Sequence, residues 1–148
     1  MNTSTLQATE ADLPEILRLA KSFDLDVEDI SWKQFLITKK ETQIIGIGRL
    51  RTYSDPENIE AGCTEMATIG VIESERQKGI GTSLVKELIR MGPDEIYVAC
   101  VIPDFFERFG FEKVKQYPSV LQKKVDFCKC YNFSEDQIFV MKIEKKRS

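Results

Sequence analysis

One stretch, from Ile69 to Leu88, limits the possible folds more than any other. The apolar run up to Val71 and Ile72 reads as a buried strand, and Glu73-Ser74-Glu75 is a polar turn. Arg76-Gln77-Lys78-Gly79-Ile80-Gly81-Thr82 follows, and there the period changes. Leu84, Val85, Leu88 and Ile89 then mark one face of a helix, with Lys86, Glu87 and Arg90 turned outward. A helix start leaves backbone N–H groups without intrahelical partners, and with the helix dipole these attract an anion. Gly79 and Gly81 have no Cβ to keep a phosphate away, Arg76 and Lys78 add positive charge, and Thr82 can donate a hydroxyl hydrogen bond. Two readings stay open at this level: a phosphate cradle, or a plain turn that starts a helix. Two phosphate loops are excluded. The Walker pattern needs Gly-Lys-Ser/Thr, and the dinucleotide fingerprint needs a third glycine where Leu84 stands.

The rest of the chain supplies strands and helices to either side. Residues 3–8 read as an opening strand. Leu13, Ile16, Leu17, Ala20 and Phe23 recur at helical spacing, with Asp12 and Glu15 as a capping box and Pro14 in the first turn. A short second helix is expected from Val27 to about Gln34. A hairpin follows, Phe35 to Thr38 and Gln43 to Arg51 around a polar turn, then a loop at residues 54–58 and a long strand from Glu60 to Ile72. Met91-Gly92-Pro93 ends the helix after the glycines. Ile96 to Ile102 is a strand, Pro103 starts a helix ending at Gly110, and Phe111 to Lys115 and Gln137 to Ile143 are the last strands. This order predicts an α/β (α+β) fold in one domain over 1–148, a mixed central sheet with helices on both faces.

Histidine is absent, which removes Ser-His-Asp and Cys-His catalysis and histidine-ligated zinc. Any general base is then a carboxylate, tyrosine, lysine, cysteine or bound water. Cys63, Cys100, Cys128 and Cys130 have irregular spacing, read as reduced structural thiols and no metal site. The net charge of −3 argues against nucleic acid. No apolar run approaches a membrane span, and the polar start, Met1 to Gln7, is unlike a signal peptide, so the default expectation is a cytoplasmic protein without membrane partners.

Arg76-x-x-Gly79-x-Gly81 resembles the acyl-CoA signature of the GNAT acetyltransferase superfamily, with Val71 five residues before Arg76 as at that family's strand end. Phe105-Phe106-Glu107-Arg108-Phe109-Gly110-Phe111 resembles its later helix, which ends in Gly-Phe. The element order agrees, so the resemblance covers nearly the whole chain.

The resemblance implies an acetyl-CoA-dependent N-acetyltransferase acting by direct attack of an amine on the thioester. Acetyl-CoA is the co-substrate and no metal is needed. Residues 76–82, that is Arg76, Gln77, Lys78, Gly79, Ile80, Gly81 and Thr82, would hold the pyrophosphate. The backbones of Ile69, Gly70 and Val71 would meet the pantetheine arm or the thioester carbonyl. Glu65, six residues before Val71, stands where several branches carry a glutamate base. As a bare carboxylate it could equally be solvated or pair with Arg49 or Arg51. The chain departs from the pattern at Phe106, where many members have an acidic tyrosine, and at Cys100, near a common asparagine. The double phenylalanine, with Lys123-Lys124-Val125-Asp126-Phe127-Cys128-Lys129-Cys130, resembles the acetyltransferase domain of N-acetylglutamate synthase, without that protein's kinase domain. There the acceptor is an amino acid and basic residues could meet its carboxylate, whereas by themselves Lys123, Lys124 and Lys129 read as a solvated face. The expected partner is a small-molecule amine, with the chain a monomer or homodimer. The competing expectations are an acyl-CoA-binding module without turnover and an enzyme acting on protein lysine or N-terminal amines.

Overall fold

The computed structural model describes residues 3–54, 62–130 and 133–145. Seven strands hydrogen-bond in the order β1 (Thr3–Gln7), β2 (Phe35–Lys40), β3 (Gln43–Tyr53), β4 (Cys63–Val71), β5 (Glu95–Cys100), β7 (Phe139–Glu144), β6 (Glu112–Lys113). β4 and β5 run parallel and the other recorded pairs antiparallel, so the sheet is mixed. The helices are α1 (Leu13–Ser22), α2 (Ile80–Met91), α3 (Pro103–Glu107) and α4 (Gln122–Lys129). The chain gathers into two compact units, Met1–Leu50 with Met66–Met91 and Arg51–Glu65 with Gly92–Ser148.

In the first unit β1 pairs with β2 and β2 with β3, the latter hairpin closing through Glu41 at φ 58°. Ile16, Leu19 and Ala20, the buried stripe of α1, pack with Ala8, Phe35, Ile37, Ile44 and Ile47. Helix α2 lies close over β3 because that strand carries a glycine: a Cβ on Gly46 would sit 3.0 Å from Ile80 and 3.1 Å from Leu84. In the second unit β5 and β7 pair from Glu95↔Glu144 to Cys100↔Phe139, and β4 meets β5 at Glu65↔Tyr97. Its core is Tyr97, Leu121, Val125, Ile138 and Val140.

Three expectations need correction, and one helix was not expected. The helix expected over Val27–Gln34 is only a 3₁₀ turn, Trp32–Gln34. Upstream of it the Asp26 carboxylate caps the Glu28 N–H and Asp29 sits at φ 52°, a backbone that helices do not use. The capping box lies one turn early: the Thr9 N–H and hydroxyl both donate to Asp12, and Glu15 instead pairs with Arg18. Helix α4 has no counterpart in the sequence reading. The strand expected over Phe111–Lys115 shrinks to two residues. The predicted loop at 54–58 falls, beyond Ser54, outside the described residues.

Candidate active site

The glycine loop belongs wholly to the first unit. After β4 the chain makes a 3₁₀ turn, Glu73–Glu75, and Gln77 and Gly79 both take positive φ, 67° and 83°. That conformation is free for glycine and costs about 1–3 kcal/mol at a residue such as Gln77. The first intrahelical bond of α2 runs from the Ser83 N–H to the Gly79 carbonyl, 3.0 Å, so the N–H groups of Ile80, Gly81 and Thr82 precede the helical ladder. A Cβ built on Gly79 meets no atom within 4 Å, and one on Gly81 meets only Val71 at 3.9 Å. Space and donors for an anion therefore coincide, and the first turn of α2 holds no acidic residue to oppose one.

The loop's charges are arranged differently from the expectation. Lys78 does not stand free: its Nζ lies 3.4 Å from Glu75, whose other oxygen is 3.3 Å from Lys40. Burial pushes the Glu75 carboxyl up, and the hydrogen bonds from Lys40 and Lys78 outweigh it, holding the group below its ordinary value. The Arg76 Nε donates to the Val71 carbonyl at 2.9 Å, and its guanidinium lies 5.8 Å from the Phe23 ring centre. The same ring covers Gly70, where a Cβ would be 2.4 Å from Phe23 Cδ2, so a larger residue would have to displace the ring.

Just before Ile69, Thr68 interrupts the strand at φ 54°. Its hydroxyl donates to the Asp26 carbonyl and accepts from Arg49 Nε, both at 2.8 Å. Arg49 is 0% exposed and donates further to the Glu28 carbonyl, Gln34 Oε1 and the Asp26 carbonyl. Thr68 is thereby held in a conformation that β-branched residues avoid, a local kink of the kind that re-aims a strand beside a reaction centre.

The carboxylate lies in the second unit. Glu65 is 0% exposed, and its Oε1 accepts a 2.8 Å hydrogen bond from the Tyr53 hydroxyl. Its Oε2 is buried with no hydrogen-bond partner among the described residues, while Lys124 Nζ stands 3.7 Å away in an ion pair. The Arg51 guanidinium stacks 4.4 Å from the Tyr53 ring centre, which steadies the donor. The nearby Cys63 thiol is pushed up to about 11, first by burial and then by the charges of Glu65 and Glu95. A carboxylate with one oxygen fastened and the other open can accept a proton from a group brought beside it.

Sequence reasoning missed Tyr53 and Lys124 as its partners. Lys124, 8% exposed, is no part of a solvated face. The signal was present: 121, 124, 125 and 128 are spaced as one helical face, which puts Lys124 in line with the buried Leu121 and Val125. Phe106 packs edge-on against Phe105 and Phe111, with ring centres 5.1 Å and 5.7 Å away, as a buried core residue. Among the described residues no group of three or more Cys, Asp or Glu is placed to hold a metal ion, and no helix is long and apolar enough to cross a membrane.

No curated protein matches the chain in sequence. Solved structures match it in fold. N-acetylglutamate synthase from Neisseria gonorrhoeae, complexed with coenzyme A and N-acetyl-glutamate, superposes with a TM-score of 0.74 at 17% identity over 99% of this chain, which spans 36% of that protein. Rv2747 from Mycobacterium tuberculosis, in complex with CoA, gives 0.71 at 18% identity over 97% of this chain and 99% of its own. Arabidopsis thaliana Naa50, in complex with the bisubstrate analogue CoA-Ac-MVNAL, gives 0.67 at 16% over 98% and 100%. Residues 5–111 match the family model described as Acetyltransferase (GNAT) family, which includes the glycine loop, Glu65 and the Phe-rich helix, and the chain belongs to that family.

Proposed function

We propose that the chain transfers an acetyl group from acetyl-CoA to the primary amine of a small molecule, with an amino acid as the favoured acceptor. The observation that carries this reading is Glu65, wholly buried and, among the described residues, with one oxygen left without a hydrogen bond. Such an oxygen is costly to bury, and an incoming amine N–H would satisfy it. The open space at Gly79, with the N–H groups that begin α2, suits a diphosphate, so the group fits the loop. Gln77 and Ile80 would contribute main-chain donors, Arg76 charge and Thr82 its hydroxyl, and the backbones of Ile69, Gly70 and Val71 would line the pantetheine arm. Acetyl-CoA supplies the activated acyl group and its thiolate leaving group. Glu65 takes the proton that an ammonium must lose before it can attack, and Tyr53 and Lys124 hold the carboxylate in place while it does so. The preference for an amino acid draws on the likeness to N-acetylglutamate synthase and on Lys124, which offers positive charge beside the base.

Thermal unfolding with and without acetyl-CoA tests the first half. At a hundredfold excess over Kd, binding adds about 2.7 kcal/mol of stability and raises Tm by several degrees. No shift at millimolar acetyl-CoA would remove the cofactor. Thiol release across a panel of amino acids, other small amines and peptides with free N-termini tests the second half, with release expected from amino acids. A second reading, an acyl-CoA-binding module without turnover, is favoured by Phe106, which has no proton to give a thiolate, and thiol release from none of the panel would select it.

A further inference from the structure

We propose that Lys124 is itself an acetyl acceptor, so that the chain acetylates its own side chain beside Glu65. The inference rests on Glu65 acting as the base of an acetyl-CoA-dependent transfer. A general base must lie within hydrogen-bond reach of the proton it takes, directly or through one water. The protein already places an amine of its own almost within that reach, at 3.7 Å from the oxygen that makes no hydrogen bond among the described residues. Helix α4 holds it there: Leu121 and Val125 bury the same face, and the ammonium lies 5.7 Å from the Phe127 ring centre. A lysine on a flexible four-carbon stem closes the remaining gap by rotating its terminal bonds.

The step balances. The Lys124 ammonium gives one proton to Glu65. The neutral nitrogen attacks the acetyl carbonyl carbon, the C–N bond forms and the C–S bond breaks. The nitrogen loses its second proton as the amide forms. The departing thiolate takes up one proton, and the other passes to solvent. The product, acetyl-lysine, carries no charge and fills the space beside Glu65 Oε2. An external amine is then shut out, and the carboxylate keeps Tyr53 but loses the ion partner described above. Self-acetylation would thus brake the transfer as acetyl-CoA accumulates in the absence of acceptor.

Burial makes the test discriminating. Uncatalysed acetylation by a thioester falls on exposed lysines such as Lys86, whereas Lys124 is 8% exposed. The full chain is incubated with acetyl-CoA without acceptor, and the acetyl groups are located by peptide mass mapping over time. Lys124 is expected to be modified at least about tenfold faster than Lys86, and Glu65→Gln to slow Lys124 by about a hundredfold while leaving Lys86 unchanged. The same preparation is checked for the acetyl-CoA shift in Tm and for thiol release with amines. If both are present and Lys124 is modified no faster than Lys86, self-acetylation is overturned and the transferase reading stands. If acetyl-CoA neither binds nor is consumed, both fall together. The wild-type comparison of Lys124 with Lys86 decides the matter even if the Glu65 variant does not fold.

Discussion

Arg49 and Glu65 are both fully buried charges, one in each compact unit, and the protein treats them in opposite ways. Arg49 donates to a hydroxyl, two carbonyls and a side-chain amide, faces the Asp26 carboxylate at 3.7 Å and lies 5.9 Å from the Phe35 ring centre. Among the described residues the Glu65 side chain accepts one hydrogen bond, from Tyr53, and its other oxygen has only the Lys124 ammonium at 3.7 Å. A charge with its donors so widely engaged serves to hold structure. A carboxylate with one oxygen held only by an ion pair keeps hydrogen-bonding capacity for an incoming group. The contrast sets a buried charge engaged throughout against one that keeps bonding capacity.

The largest effect expected from this contrast is on stability. Arg49→Met leaves the Asp26 carboxylate, two carbonyls and Thr68 without their donor, and is expected to cost about 3–5 kcal/mol in urea denaturation. A loss below about 1 kcal/mol would break the contrast, since Arg49 would then be dispensable. Next comes Glu65→Gln, which keeps the shape and removes the base. Amine-dependent thiol release at neutral pH is expected to fall about a hundredfold, with less loss of stability than Arg49→Met and with acetyl-CoA affinity retained. Unchanged turnover would put the chemistry elsewhere. The smallest effect uses Cys63 as a reporter. Its thiol and that of Cys100 are pushed up to about 11, mainly by burial, so at pH 8 both are expected to alkylate far more slowly than the exposed Cys130. The charge of Glu65 is the second cause at Cys63, so Glu65→Gln is expected to speed labelling of Cys63 and leave Cys100 unchanged. Equal rates at Cys63 in both proteins would mean that the carboxylate does not act on that thiol.

How much of this was legible in the sequence depends on how local the cause is. The strand, glycine loop and helix from β4 to α2 could be read because each part follows from its own residues: an apolar run, glycines, then a 3.6-residue period. The segment from Val27 to Gln34 misled because its partners are far away. The Asp26 and Glu28 carbonyls turn to a buried guanidinium on β3, and carbonyls so occupied are lost to a helix. Helix α4 was missed for a related reason. Much of its surface is charged, and the burial of Lys124 makes sense only once a carboxylate from β4 faces it. The same holds at the candidate site. The family likeness pointed to Glu65 as a base, but its burial and its unserved oxygen arise from Tyr53 and Lys124, two residues that no spacing rule connects to it.

Glu75 has a consequence for how the loop would grip an anion. By pairing with both Lys40 and Lys78, its single negative charge offsets about half of their positive charge from inside the protein. What remains is the unbalanced positive charge of that cluster, the Arg76 guanidinium and main-chain dipoles fixed in direction and indifferent to pH. A nucleotide tail seated there would be held by fixed dipoles as well as by charge, and its retention would fall less steeply with salt than if Lys40, Lys78 and Arg76 all stood unpaired.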